Sequence, residues 1–274
     1  MANLKVAVCQ MKIEKEKENN LKKAGEMISE AVKKGARLVV LPEIFNAPYQ
    51  TDILPSYAET YPGPTTLFLQ KKAKEHKIYL VGGTIPEKDS EGKIYNSSFI
   101  FDDKGDLKGI YRKAHLFDVD IPDKITFRES DVFAAGDEIN VIPHPQIPFS
   151  VLICYDCRFP EWAKLAALKG AKMLIIPAAF SLKTGKDHFE LLMRCRAVDN
   201  QVYVIAASPA RNQEASFKVW GHSMIVDPWG KVIAKGGSGE EVILATLDPS
   251  LVDKIRQELP LLKQTRVKLV EGEK

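Results

Sequence analysis

Cysteine is scarce in this chain: four in 274 residues, at positions 9, 154, 157 and 195. Thiols so scattered in so long a chain exclude a disulfide framework. A structural zinc site needs a second pair of cysteines or histidines at ligand spacing, and His76, His115, His144, His188 and His222 each stand alone. Long apolar runs are also missing. None approaches the ~20 residues that span a bilayer, and "MLIIPAAF" is interrupted by Pro177. Charge of one sign is missing too, since 39 Lys and Arg against 36 Asp and Glu leave only +3. That balance argues against a nucleic-acid footprint. The lysines between Lys12 and Lys23 alternate with Glu14, Glu16 and Glu18, as on a solvated helix face. The start, "MANLKVAVCQ", has none of the three regions of a signal peptide and reads as a strand. A soluble, cytoplasmic protein with no membrane or nucleic-acid partner is expected.

What is present is an alternation of short β-branched runs with amphipathic segments over residues 1–274, enough apolar content for one large α/β domain or two smaller ones, and a single domain is expected. Strands are expected at Leu4–Gln10, Arg37–Leu41, Ile78–Thr84, Tyr95–Asp102, Leu107–Arg112, Phe149–Cys154, Met173–Ile176, Val202–Ala207, His222–Asp227, Val232–Lys235 and Val242–Asp248. Leu21, Ala24, Ile28, Ala31 and Val32 recur at helical spacing. Helices are also expected at Pro64–Lys77, Pro160–Lys169, His188–Asn200 and Pro249–Leu259, three of them opening on a proline that the first helical turn tolerates.

The chain also repeats itself. "GARLVVLPEIF" matches "GAKMLIIPAAF", "IYLVGGTIPE" parallels "VYVIAASPAR", and "SSFIFDDKG" parallels "HSMIVDPWG". Two copies of a β-α-β-α-β-β unit, each a helix-covered sheet, can pack face to face as a four-layer αββα sandwich with a pseudo-two-fold axis. The copies differ where chemistry would sit. Glu43 in the first stands opposite Ala178 in the second, and Cys154 opposite Cys9.

Cys154 and Cys157 have the Cys-x-x-Cys spacing, which leaves a redox dithiol open. Asp156 between them would raise a thiol pKa, which disfavours that reading. Alternatively Cys154 alone is a nucleophile, at the end of a strand and before a tight turn whose N–H groups form an oxyanion hole. A thiol needs a base. Glu43 in "LPEIF" is the candidate, and Lys113 in "GIYRKAHLF" is a cation placed to hold an oxyanion.

"LPEIF", "YRKAHLF" and "CYDCRFPE" together resemble the Glu-Lys-Cys motifs of the nitrilase, or carbon-nitrogen hydrolase, superfamily, and the likeness runs from "KVAVCQ" to "VDPWGKVIAK". The resemblance implies an αββα sandwich, a homodimer, and hydrolysis of non-peptide C–N bonds at Glu43, Lys113 and Cys154 without metal or cofactor. It makes Cys157 a bystander and adds Glu129, in "TFRESDVF", as a second glutamate near Lys113 and the substrate amide. "RFPE", "TGKDHFELL", "RCRAVDNQVYV" and "SPARN" most resemble the omega-amidase branch, whose members deamidate short dicarboxylate monoamides such as alpha-ketoglutaramate and succinamate. By that likeness Arg158 and Thr184 bind the distal carboxylate, while Tyr49, Tyr155 and Phe180 line the pocket. Gln50, Ser181 and Lys183 depart from the branch pattern around the mouth. A carbamoyl-amine or carbamoyl-amino-acid hydrolase and a deaminated-glutathione amidase are the neighbouring alternatives, and the redox dithiol the distant one. Apolar Leu259, Leu261, Leu262, Val267 and Leu269 near the carboxyl end are expected to pack on a second subunit.

Overall fold

The computed structural model describes residues 2–121 and 125–266. Three parallel strands, β1 (Leu4–Gln10), β2 (Leu38–Val40) and β3 (Tyr79–Val81), form the middle of a seven-stranded sheet. Beyond β3 run β4 (Ile85–Lys88), β5 (Ile94–Phe101) and β6 (Leu107–Arg112), with β5 antiparallel to β3 and carrying both β4 and β6. A small hairpin, β7 (Asp118–Ile121) and β8 (Ile125–Arg128), follows.

The second sheet repeats the plan. β9 (Phe149–Val151), β10 (Met173–Pro177) and β11 (Tyr203–Ala207) are parallel, and β12 (Met224–Val226) and β13 (Val232–Lys235) add antiparallel strands. Helices Lys17–Lys33 and Pro64–His76 join the parallel strands of the first copy, and Pro160–Leu168 and Glu190–Asn200 those of the second. β14 (Glu241–Leu247) then crosses back to pair antiparallel with β1, sewing the copies together.

Strand periodicity sets the layers. On the first sheet Val6, Val8, Leu38 and Val40 belong to one cluster with Leu174, Ile176, Val204 and Ala206 of the second sheet. The alternate residues Ala7, Cys9, Val39 and Leu41 pack with Ala24, Ile28, Leu69 and Ala73 of the first copy's helices. The order is therefore helices, sheet, sheet, helices, as the repeat implies.

Two expected strands end early, and both endings build the site. The run Ile78–Thr84 leaves the sheet after Val81 because Gly83 has φ +55, and a Cβ there would lie 2.0 Å from the Pro42 carbonyl oxygen. Thr84, turned out of line, donates its N–H to Pro42 O and accepts the N–H groups of Ile44 and Phe45. It thereby braces the loop that carries Glu43. The run Phe149–Cys154 likewise leaves the strand after Val151 and winds into a 3-10 turn, Cys154–Arg158, ahead of the helix at Pro160. At the carboxyl end, Val252 and Ile255 of helix Ser250–Glu258 are buried in the chain's own core and Leu262 packs on it, whereas Leu259 is exposed. Val267 and Leu269 lie outside the described residues.

Candidate active site

Each catalytic candidate sits where a strand gives way to a loop. Glu43 follows β2 and is 1% exposed. Its Oε1 accepts from Asn96 Nδ2 and from Lys113 Nζ, each at 3.0 Å, and its Oε2 accepts the Ala179 N–H at 2.8 Å. Ala179 belongs to the loop that is the second copy's counterpart of the Glu43 loop, so the internal repeat places one copy's backbone against the other's carboxylate.

Lys113 directly follows β6, held on both sides of its peptide by Asn96 O and Gly136 N. Its ammonium is fully buried between two carboxylates, 3.0 Å from Glu43 and 2.8 Å from Glu129. Glu129 opens a 3-10 turn just past β8. It accepts the Phe117 N–H at 2.6 Å and the Tyr49 hydroxyl. One cation and two carboxylates thus share a buried volume, in which the remaining lone pairs need donors; Asn96, Ala179, Phe117 and Tyr49 supply them.

Cys154 is 7% exposed and takes φ +46, a left-handed conformation that costs a side-chain-bearing residue about 1–3 kcal/mol and persists only where its surroundings enforce it. The enforcing group is Asp156. Its buried carboxylate accepts the Ile153 N–H at 2.9 Å, the Tyr111 hydroxyl at 2.7 Å, the His115 N–H at 2.8 Å and the His115 ring Nδ1 at 2.8 Å. Tyr111 and His115 flank Lys113 in sequence, so this carboxylate ties the cysteine turn to the lysine. Cys157 is wholly buried, and burial pushes its thiol up to about 12.

The protonation pattern suits a base and a latent nucleophile. Burial raises the Glu43 pKa; Lys113 pulls it down and Glu129 pushes it up, leaving it above the usual carboxylate value. Burial raises the Cys154 thiol well above its ordinary value, Glu43 adds to the rise, and Lys113 opposes it. Burial alone would lower Lys113, but Glu129 and Glu43 outweigh it and hold the ammonium charged. Cys154 is therefore a thiol at rest, and Glu43 is a base strengthened for taking its proton.

Around Cys154 the structure gathers all five residues expected to hold substrate. Tyr49, Tyr155, Arg158, Phe180 and Thr184 line one cavity with the thiol, joined by Phe117 and Ser181. The Arg158 guanidinium lies 4.9 Å from the centre of the Phe180 ring, and its Nη1 donates to His188 Nδ1 at 3.3 Å. Among the described residues neither Asp156 nor Glu161 forms an ion pair with it. Thr184 Oγ1 lies 3.0 Å from Ser181 Oγ, one of the departures noted at the mouth. Among the described residues no three His, Cys, Asp or Glu side chains are grouped to hold a metal ion, and no helix is long and apolar enough to cross a membrane.

Sequence reasoning missed Asn96, Asp156 as a brace, Ala179, Phe117 and His188. Phe117 stands inside the lysine motif and Asp156 inside the cysteine motif, so both could have been found there; Asn96 and Ala179 carry no local signal.

The profile of the carbon-nitrogen hydrolase family matches residues 5–257. The chain is 47% identical to omega-amidase NIT2 of Mus musculus over 276 residues, covering 100% of each. It is 46% identical to omega-amidase NIT2 of Homo sapiens, over 97% of this chain and 96% of that one. Its fold superposes with a TM-score of 0.89 on the crystal structure of Saccharomyces cerevisiae Nit3, described as a member of branch 10 of the nitrilase superfamily, at 45% identity and covering 97% of each chain. With family profile, full-length relatives and fold in agreement, this chain belongs to the carbon-nitrogen hydrolase family, within the nitrilase superfamily.

Proposed function

We propose that the protein is an omega-amidase: it releases ammonia from the terminal amide of short dicarboxylate monoamides, of the alpha-ketoglutaramate and succinamate type, through a thioester on Cys154. The observation that carries this reading is the guanidinium of Arg158, lining the same cavity as the nucleophile and Thr184. A guanidinium fork matches a carboxylate in two parallel hydrogen bonds. The full-length likeness to omega-amidases supports the same choice.

In the mechanism, Glu43 takes the thiol proton and Sγ attacks the amide carbonyl. Lys113 and the Tyr155 backbone N–H at the head of the cysteine turn stabilise the oxyanion. Glu43 returns its proton to the departing ammonia, then deprotonates the water that cleaves the thioester. Glu129 keeps Lys113 fixed and charged, and Tyr49 in turn orients Glu129. The whole chain acts as one catalytic domain and calls on no metal or cofactor.

The protein is proposed to be cytoplasmic and to form a homodimer. In support of the dimer, Leu191 and Val198 on helix Glu190–Asn200 are exposed, as is Trp229 at 63%, and Gly230 next to Trp229 lies against Val198. A cluster of large apolar side chains of this kind marks an interaction surface.

The test of function is ammonia release from a panel of succinamate, alpha-ketoglutaramate, glutamine and carbamoyl compounds. Preference for the dicarboxylate monoamides is the expected result. Preference for a carbamoyl compound would move the protein to another branch of the family.

A further inference from the structure

Glu43, Lys113 and Glu129 share one buried cluster, and donors match acceptors there at every carboxylate position but one. A carboxylate oxygen offers about two acceptor sites. On Glu129 both oxygens are filled: Oε1 takes the Tyr49 hydroxyl and lies 2.9 Å from Lys113 Nζ, while Oε2 takes the Phe117 N–H and lies 2.8 Å from the same Nζ. On Glu43, Oε1 is filled as well, by Asn96 Nδ2 and Lys113 Nζ at 3.0 Å each. Oε2 meets one hydrogen-bond donor among the described residues, the Ala179 N–H at 2.8 Å. Ala179 also lines the cavity onto which Cys154 opens. Burial raises the Cys154 pKa and the Ala179 N–H is among the groups that pull it back, so this N–H adjoins the thiol as well as Oε2.

Asn96 is what completes the filling of Oε1. It is fully buried in β5, its backbone oxygen accepts the Lys113 N–H at 2.9 Å, and its side-chain amide makes one hydrogen bond among the described residues, to Glu43. One residue therefore fixes the base by its side chain and the peptide of the cation by its main chain. A proton on Oε1 would have to displace one of two buried donors, one of them an ammonium, whereas a proton on Oε2 displaces neither.

On the functional reading above, we infer that Oε2 is the oxygen of Glu43 that carries the proton in both half-reactions, and that Asn96 is the positioning residue that keeps this oxygen turned to the thiol. In acylation the S–H bond breaks, its proton goes to Oε2, and Sγ bonds to the amide carbon. The C–N bond then breaks, and the nitrogen takes that proton and leaves as ammonia. In deacylation water gives a proton to the same oxygen while its own oxygen bonds to the thioester carbon, and the proton passes to Sγ as the C–S bond breaks. Glu129, with both oxygens filled, remains a fixed partner of Lys113.

The oxygen is read in the wild-type protein without substrate. With isotope-labelled alanine and asparagine, the Ala179 amide and the Asn96 side-chain amide are followed by NMR as pH falls through the Glu43 titration, each signal being assigned by its loss in Ala179→Gly or Asn96→Leu. A proton on Oε2 weakens the Ala179 hydrogen bond, so the Ala179 proton signal moves upfield, and further than those of Asn96 Nδ2. The reverse order would place the proton on Oε1 and overturn the inference. The role of Asn96 is read by kinetics in Asn96→Leu, which keeps the size without a donor, and in Asn96→Ala. A donor to a carboxylate favours its ionised form, so its loss raises the Glu43 pKa and moves the acid limb of kcat/KM to higher pH, by about one to two units. At the plateau kcat falls roughly tenfold on succinamate and on a neutral aliphatic amide alike, because Asn96 does not line the cavity that Arg158 lines. An acid limb that stays or moves to lower pH in the folded variants, or a loss confined to succinamate, would overturn the positioning role. A wild-type protein inert towards every amide of the panel would overturn the functional reading, while the NMR titration would still decide the oxygen.

Discussion

Asp156 and His115 are joined twice: the carboxylate receives both the backbone N–H and the ring Nδ1 of His115, each at 2.8 Å. The same carboxylate holds Tyr111 and the peptide just before the nucleophile, so the left-handed Cys154 and the buried Lys113 share one clamp. Asp156→Asn keeps the shape but turns an NH2 group towards donors. An unsatisfied buried group of this kind costs about 1–3 kcal/mol. The expected outcome is a lower melting temperature, and kcat reduced by roughly ten- to a hundredfold as the nucleophile loses its alignment. KM should change less than kcat, because the Asp156 carboxylate makes no hydrogen bond to Arg158 or Thr184 among the described residues. Loss confined to KM would contradict this role.

Glu129 acts on Glu43 through Lys113 and directly by charge. Its carboxylate raises the Glu43 pKa, so the neutral Glu129→Gln should let Glu43 ionise at lower pH. Glu43 has to be ionised to take the thiol proton, and the acid limb of kcat/KM therefore moves to lower pH in the variant, even as the maximum falls with the loss of a Lys113 partner. A pH profile on succinamate checks the sign. An acid limb that stays put or moves upward would remove this coupling.

Arg158→Lys retains the charge and loses the fork. Activity on succinamate should fall by about ten- to a hundredfold, the range of one lost charged hydrogen bond of roughly 1.5–3 kcal/mol. Neutral aliphatic amides of similar length should be affected much less. Equal proportional losses on both classes, with the fold intact, would mean that Arg158 supports structure and does not select substrate.

The exposed apolar cluster gives a separate prediction. Trp229→Glu places a charge at the most exposed of its side chains and should convert the proposed dimer into monomer by light scattering, with helix content unchanged. A wild-type protein that is monomeric at assay concentration would contradict the assembly.

The legible parts of this protein in sequence were those with a local signature. Glu43, Lys113 and Cys154 each lie at a strand end within a recognisable short motif, and the two copies of the fold announce themselves because their strands and loops recur in the same order. β4 was not legible because Pro86 interrupts it; it is the last strand of its sheet, met on its outer side only by an isolated bridge at Glu59 among the described residues, and such an edge tolerates a residue without an N–H. The early end of β9 was hidden because apolar Leu152 and Ile153 read as strand, while the turn that ends it is imposed by Asp156. Asn96 reaches Glu43 across 53 residues of sequence, and Ala179 across 136. Contacts of that span follow from sheet order and leave no pattern in either segment.

The central claim is that Cys154, and not the Cys154–Cys157 pair, carries the acyl group. Acid-quenching the enzyme during turnover of succinamate and mapping its peptides by mass spectrometry tests this most directly. The expected result is a single succinyl thioester on Cys154, absent in Cys154→Ala along with all ammonia release, and still formed in Cys157→Ala, whose turnover remains near wild type. Turnover with no acylated Cys154, or equal loss of activity in the two alanine variants, would contradict it.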